Sequence, residues 1–436
     1  MRGVSKRQIL QGGGLAVLEA AFGHAAFAQA VRDDWAVPVP LQHRMYRTAI
    51  DIARRKIRGG PRDPAFPKPF LDAAFSTNIF LWDTCFIAAY AKYHQAELPI
   101  ANALDNFYVR QDADGFICRE YTEAGLPVWP KDHPISINPP LFAFAELELY
   151  SQSKDLGRLA HAYPTLKRFF DFLHRTYRCD DGLYFSDAVG SGMDNIPRHP
   201  DGWRDDHAGL PIHPNFPKRF NYTGLNAAWN RQGRSVDFSA QMALFADNLR
   251  VMAGLLGESA DMPALAQVHA DIGAAVNQHC WNEADGFYYD LGYGEQIRRK
   301  HIGMFWVMLA GIVPPDRLDR MLAHLVDPAQ FWRRIPVASW PADQAGFSPI
   351  GNYWKGSVWA PTNYMIIRGL ERCGQHELAT RLARQYYWSL AQVFKSTGTF
   401  WENYAPDAVA RGNIARPDFC GWTGLAPIAL YHEFIA

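Results

Sequence analysis

Along most of the chain, apolar residues recur every three to four positions, while the strict alternation of a half-buried strand is scarce. That periodicity predicts about a dozen helices, near 41–58, 81–94, 98–111, 138–152, 157–177, 236–257, 262–282, 301–311, 315–326, 356–373, 375–395 and 422–435. Punctuation supports several of them. Pro139 and Pro140 open the fourth, Pro164 interrupts or opens the fifth, Ser235 and Asp237 can cap the sixth, and Gly374 separates the tenth from the eleventh. Asp114-Gly115-Phe116, Asp181-Gly182-Leu183-Tyr184-Phe185 and Asp285-Gly286-Phe287-Tyr288-Tyr289 each follow a helical stretch. They read as a recurring tight turn, because glycine accepts positive φ and the following aromatics can pack back. Three coincidental turns are the plainer alternative. Two long stretches, 183–235 and 327–355, lack any period and are rich in Gly, Pro, Asp, Asn and Trp. Aperiodic loops of that length are uncommon unless they build something.

Composition narrows what they build. The chain has 436 residues, 48% hydrophobic and 20% charged, enough for a large core and incompatible with global disorder. With 44 basic and 44 acidic side chains it lacks the excess positive charge that nucleic acid demands. The 14 Trp offer flat apolar faces of the kind that suit sugar rings, although a large core also consumes Trp. Six cysteines (Cys85, Cys118, Cys179, Cys280, Cys373, Cys420) form no CxxC and no His-spaced cluster. They read mostly as buried free thiols, with no zinc site among them.

Residues 1–30 read as an export signal. Arg2, Lys6 and Arg7 precede an apolar stretch, and Ala26-Phe27-Ala28-Gln29-Ala30 has signal-peptidase spacing. Ser5-Lys6-Arg7-Gln8-Ile9-Leu10 resembles a twin-arginine signal with Lys in place of the first Arg. An ordinary amphipathic helix, with Glu19 on its polar side, is the alternative. Export implies a periplasmic or secreted protein, and no later stretch is apolar enough to span a bilayer. The remainder, 31–436, shows no linker and no shift of composition, so one catalytic domain is expected.

Four segments carry candidate chemistry. In Ser191-Gly192-Met193-Asp194-Asn195-Ile196-Pro197-Arg198, a loop can present Asp194 into a cleft, although Asp-Asn is also ordinary turn chemistry. In Gly398-Thr399-Phe400-Trp401-Glu402-Asn403-Tyr404, aromatics flank Glu402 and can raise its pKa by excluding water. Asn78-Ile79-Phe80-Leu81-Trp82-Asp83-Thr84 opens an apolar helix. There Asp83 is either a first-turn acid favoured by the helix dipole or an acceptor for sugar hydroxyls beside Trp82. Gly351-Asn352-Tyr353-Trp354-Lys355-Gly356-Ser357-Val358-Trp359 packs three aromatics and a cation into nine residues.

Taken in order, these segments resemble glycoside hydrolase family 63 and its short bacterial members, the mannosylglycerate and glucosylglycerate hydrolases. More distantly they resemble the family 37 trehalases. The resemblance runs from Trp82-Asp83 to Asp418-Phe419-Cys420-Gly421-Trp422-Thr423-Gly424. It implies an all-α (α/α)6 toroid with long loops over one end. It also implies an inverting, exo-acting α-glycosidase with Asp194 as general acid and Glu402 as general base, needing no cofactor and no metal. Trp82, Asp83, Tyr353, Trp354, Lys355, Trp359 and Trp401 would form the sugar site. Lys355 stands where many members carry Arg, replacing a planar fork by a point charge. The sugar stays open between α-glucose and α-mannose, and the leaving group is not specified. The expected partner is a carbohydrate, with no nucleic acid and, once the signal is removed, no membrane. The alternatives are another toroid enzyme, such as a sugar epimerase working through His pairs or an unsaturated-uronyl hydrolase, and an inactive carbohydrate binder.

Overall fold

The structure is a computed structural model that describes residues 35–71, 76–129, 131, 137–186, 190–198, 233–419 and 421–436. Residues 1–30, read as an export signal, and most of the first long loop lie outside the described residues. Among the described residues, twelve helices form where the apolar period predicts them: α1 (Val39–Arg55), α2 (Leu81–Ala91), α3 (Ile100–Tyr108), α4 (Phe142–Ser153), α5 (Leu156–Tyr177), α6 (Val236–Leu256), α7 (Met262–His279), α8 (Trp306–Ala310), α9 (Pro315–Val326), α10 (Ala360–Arg372), α11 (His376–Thr397) and the π-helical α12 (Ala426–Ile435).

Even-numbered helices pack in a closed ring. α2 meets α4, α4 meets α6, α6 meets α8 and α8 meets α10, and the α12 end of the chain returns to α2 and α10. Odd-numbered helices lie outside them, α7 on α6 and α11 on α10 and α12. This is the (α/α)6 toroid, and burial explains the sorting. All eleven residues of α2 and 16 of the 21 in α6 are buried, as an inner helix surrounded by others requires. Outer α9 buries only Met321, Leu322, Leu325 and Val326, one stripe of an otherwise polar helix. The buried Lys92 is paired on two sides. Lys92 bonds Glu148 of α4 at 2.5 Å and Glu433 of α12 at 2.8 Å, tying the first and last inner helices together.

The three Asp-Gly turns form as expected, with Gly115, Gly182 and Gly286 all at positive φ. Each reverses the chain after an outer helix (α3, α5 and α7), so the echo is a property of the helix pairs. Some boundaries differ from expectation. Pro164 neither opens nor ends α5, which starts well before it with Asp155 capping Arg158 N–H at 3.0 Å. Ser235 occupies the N-cap of α6 without capping it, and its hydroxyl donates to Ser186 O instead. The first free N–H of that helix, Val236, goes to Asp290 Oδ1 at 2.9 Å. Of the cysteines, Cys85, Cys118, Cys179, Cys280 and Cys373 are free thiols, three of them buried, and Cys420 lies outside the described residues. Among the described residues no helix is long and apolar enough to cross a membrane.

Candidate active site

Short strands at one end of the ring bring distant residues together. Ile79–Phe80 pairs antiparallel with Glu120–Tyr121, with Phe80 opposite Glu120, and Leu81 N–H donates to Arg119 O. Trp82 and Asp83, in the first turn of α2, therefore sit beside Arg119 and Glu120. Glu120 is held by Trp129 Nε1 at 2.7 Å and Asn78 Nδ2 at 2.6 Å, and the Arg119 guanidinium lies 3.9 Å from the centre of the Trp129 ring. Among the described residues, Trp82 Nε1 and Asp83 Oδ1 have no hydrogen-bond partner, and both are buried. Buried polar atoms are normally satisfied, so two neighbouring orphans beside a cavity mark a place for a polar ligand. Burial, reinforced by Glu402, Glu120 and Asp194, holds the Asp83 carboxyl well above the usual carboxylate range.

The segment carrying Asp194 is pinned on either side of it. Asn138 Nδ2 bonds Gly190 O, and four residues beyond Asp194 the side chain of Arg198 is fully buried. Its guanidinium forks between Asp237 on α6 (2.9 and 3.0 Å) and Asp290 (2.7 and 2.9 Å). His301 Nδ1 accepts from Gly303 N–H, so its ring proton sits on Nε2 and is donated to Asp290 at 3.0 Å. Burial opposes ionisation of Asp290, but Arg198 and His301 outweigh it and keep the carboxyl below its usual range. Glycine is required at Gly192, where φ is +79° and an added Cβ would meet the Trp82 ring at 3.2 Å.

Glu402 reaches the same cavity from a later part of the chain. Its backbone N–H donates to Arg416 O and its carbonyl accepts from Trp422 Nε1, both at 2.9 Å. The Tyr353 hydroxyl donates to Glu402 Oε1 at 3.3 Å. Burial pushes the Glu402 carboxyl up to about 7, with Asp194 adding to the rise and Arg416 and Tyr353 restraining it. Tyr353 has φ 57°, a left-handed conformation that costs a bulky L-residue about 1–2 kcal/mol. Behind it Trp354 stacks on Trp359, with centroids 4.0 Å apart and planes 3° from parallel.

The cavity between these walls has a volume of about 440 Å³ and is lined by Trp82, Asp83, Asp194, Tyr353, Trp354 and Glu402, together with Arg119, Glu120, Trp129, Asn138, Arg416 and others. Residues 76–421 match the family model described as the mannosylglycerate hydrolase MGH1-like glycoside hydrolase domain. The chain belongs to this family. The MGH1-like domain thus takes in both candidate carboxyls, Asp83 and the Tyr353–Trp359 segment. Among solved structures, a GH63 mannosylglycerate hydrolase from Thermus thermophilus, in complex with Tris and D-glycerate, superposes with a TM-score of 0.71 at 22% identity. That match covers 88% of this chain and 99% of the other. A probable mannosyl-oligosaccharide glucosidase of Schizosaccharomyces pombe is 29% identical over 44% of this chain and 25% of its own length. A periplasmic trehalase of Salmonella newport is 22% identical over 79% of this chain and 64% of its own. The chain therefore spans less than two thirds of the length of these curated relatives.

Six of the nine site residues expected from the sequence line the cavity of the MGH1-like domain, and three do not. Trp359 is fully buried and forms a second layer beneath Trp354. Trp401 points away, its indole N–H on Thr397 and its ring under the Arg411 guanidinium at 4.9 Å. The backbone there is extended, so adjacent Trp401 and Glu402 face opposite sides. Lys355 closes a turn through its N–H to Asn352 O and does not reach the cavity, so its charge is not part of the lining. Sequence reasoning missed Arg119, Glu120, Trp129, Asn138 and Arg416. An Arg-Glu pair between Cys118 and Tyr121, with Trp129 nine residues on, was the one signal available.

Proposed function

We propose that this chain is an inverting, exo-acting α-glycoside hydrolase that releases a terminal glucosyl or mannosyl unit from a small glycoside or oligosaccharide. Asp194 protonates the glycosidic oxygen, and Glu402 takes a proton from the water that attacks the opposite face of the ring. Inversion needs about 6.5–9.5 Å between the carboxyls to admit that water. The observation that carries the reading is that Asp194 and Glu402, from loops far apart in sequence, line one cavity beside the orphaned Asp83 Oδ1 and Trp82 Nε1. Those two atoms suit sugar hydroxyls, and the Trp82 and Trp354 rings suit the C–H faces of a pyranose. A Glu402 pKa of about 7 suits a group that exchanges protons near neutrality.

The chain acts outside the cytoplasm, with residues 1–30 removed and 31–436 forming one catalytic domain. The basic, apolar and small-residue order of the first thirty positions supports this, as does the likeness to a periplasmic trehalase. Sequencing the N-terminus of the exported protein tests it, with cleavage after Ala30 expected.

Proton NMR of the protein with a panel of α-glucosides and α-mannosides tests the activity. The β-anomer of the released sugar is expected first. Release of the α-anomer first would exclude inversion. Epimerisation without release would favour a sugar isomerase, a rise in ultraviolet absorbance would favour uronic-acid chemistry, and ligand line broadening without turnover would favour a binder.

A further inference from the structure

Asn195 follows Asp194 directly, yet both polar atoms of its side chain are spent on another loop. Nδ2 donates to Asn352 O at 3.2 Å, and Oδ1 accepts from Trp354 N–H at 2.8 Å. These two peptide groups flank Tyr353. Lys355 N–H also donates to Asn352 O at 3.1 Å, so residues 352–355 form a tight turn with Tyr353 at its left-handed position. Gly351 (φ 73°) and Gly356 (φ 106°) bracket the turn and give it no stiffness of their own. A carboxamide is the one side chain of this length that offers a donor and an acceptor together, which is what spanning a C=O and an N–H two residues apart requires.

We propose that Asn195 is a positioning residue that clamps the backbone on either side of Tyr353, so that the Tyr353 hydroxyl is held on Glu402 and the loop bearing Asp194 keeps a fixed distance from the wall bearing Glu402. This rests on Asp194 and Glu402 being the acid and base. Asn195 is half-buried at the cavity edge and its amide bonds main chain on either side of Tyr353, so the role proposed for it runs through Tyr353. An inverting site depends on that separation, and a misplacement of about 1 Å can cost about 10²-fold in rate.

The test is a carbon-13 NMR titration of the Glu402 carboxyl, assigned by its loss in Glu402→Gln, in the wild type, Asn195→Leu, Asn195→Ala and Tyr353→Phe. Tyr353 donation favours the carboxylate, so its loss raises the Glu402 pKa. The two Asn195 variants and Tyr353→Phe are each expected to move Glu402 up by about half a unit or more. Asn195→Leu combined with Tyr353→Phe should move it no further, because both remove the same contact. Asn195→Ala also removes both bonds, adds no charge and is smaller, so it serves where the leucine variant does not fold. Glu402 titrating as in the wild type in the folded Asn195 variants, or an additive shift in the double variant, overturns the proposal. Turnover supplies a second readout, with kcat falling about 10-fold or more and KM changing less than about 3-fold. A mainly raised KM also counts against a positioning role. Failure of the acid–base reading is seen separately, as a Glu402→Gln protein that keeps wild-type turnover.

Discussion

The Tyr353 hydroxyl donates to Glu402 Oε1 at 3.3 Å, from a residue whose backbone is held at φ 57°. Strain of this kind persists only where surrounding contacts over-determine it, and such positions cluster at working sites. Here the contacts are the Asn195 clamp, the Trp359 ring edge-on at 4.9 Å and the Ser357 N–H on Tyr353 O. The strained residue is thus coupled both to the loop bearing the candidate acid and to the candidate base.

The first expected outcome concerns pH. A general base must be ionised, so kcat/KM should rise with pH through an acid limb near 7, the value burial gives Glu402. Tyr353 donation lowers that pKa, so Tyr353→Phe should displace the limb to higher pH. A pH–rate profile of both proteins checks this. A limb that stays in place or moves to lower pH would remove Tyr353 from the control of Glu402.

The same group should cost stability. Its carboxyl is raised from 4.5 to about 7, so between these values the folded state binds more protons than the unfolded state. Stability contributed by Glu402 is fully present below about 4.5 and is lost as pH rises through 7, by about 3 kcal/mol when complete. Glu402→Gln should therefore raise the thermal midpoint at about pH 8 and show little gain at about pH 4.5, while turnover falls by about 10²-fold or more. Equal gains at both pH values would argue against a buried, uncompensated carboxyl.

The helices were legible because inner and outer positions impose a period on the sequence. α9, with one buried stripe, and α2, apolar on every side, are both unmistakable. Asp194 and Glu402 were legible through their flanking Gly, Pro and aromatic residues. Arg119, Glu120 and Arg416 were not, because a charge on a two-residue strand or a loop reads like a solvated one, and an Arg-Glu pair near Trp129 is too weak a pattern to single out. Only the pairing of Phe80 with Glu120, set by tertiary structure, brings the Arg119–Glu120 pair to the cavity. Trp401 and Lys355 were misplaced for the opposite reason. Each is adjacent to a lining residue, and in extended or turning backbone a neighbour points elsewhere.

Roles within the pair can be separated with an α-glycosyl fluoride, whose leaving group needs no protonation. Asp194→Asn should lose about 10²-fold or more on an ordinary glycoside and far less on the fluoride, whereas Glu402→Gln should lose on both. Steady-state rates on the two substrates decide it. The reverse pattern would exchange the roles, making Glu402 the acid.

Arg198 offers a test that does not depend on substrate. Its side chain is fully buried, satisfied by Asp237 and Asp290, and lies four residues beyond Asp194. Arg198→Met keeps volume and removes the charge, leaving two buried carboxylates without the guanidinium they share. Breaking one partner of such a cluster costs about 3–5 kcal/mol, because the remaining charges stay buried and unpaired. Urea unfolding near neutral pH should show that loss, and Asp237→Asn with Asp290→Asn in the Arg198→Met background should recover part of it. The paired recovery is the diagnostic step, since simple loss of packing would not be repaired by neutralising the two aspartates. A loss in Arg198→Met well below that range, under about 1 kcal/mol, would mean that the cluster neither holds α6 to the Asp194 loop nor fixes that loop over the cavity.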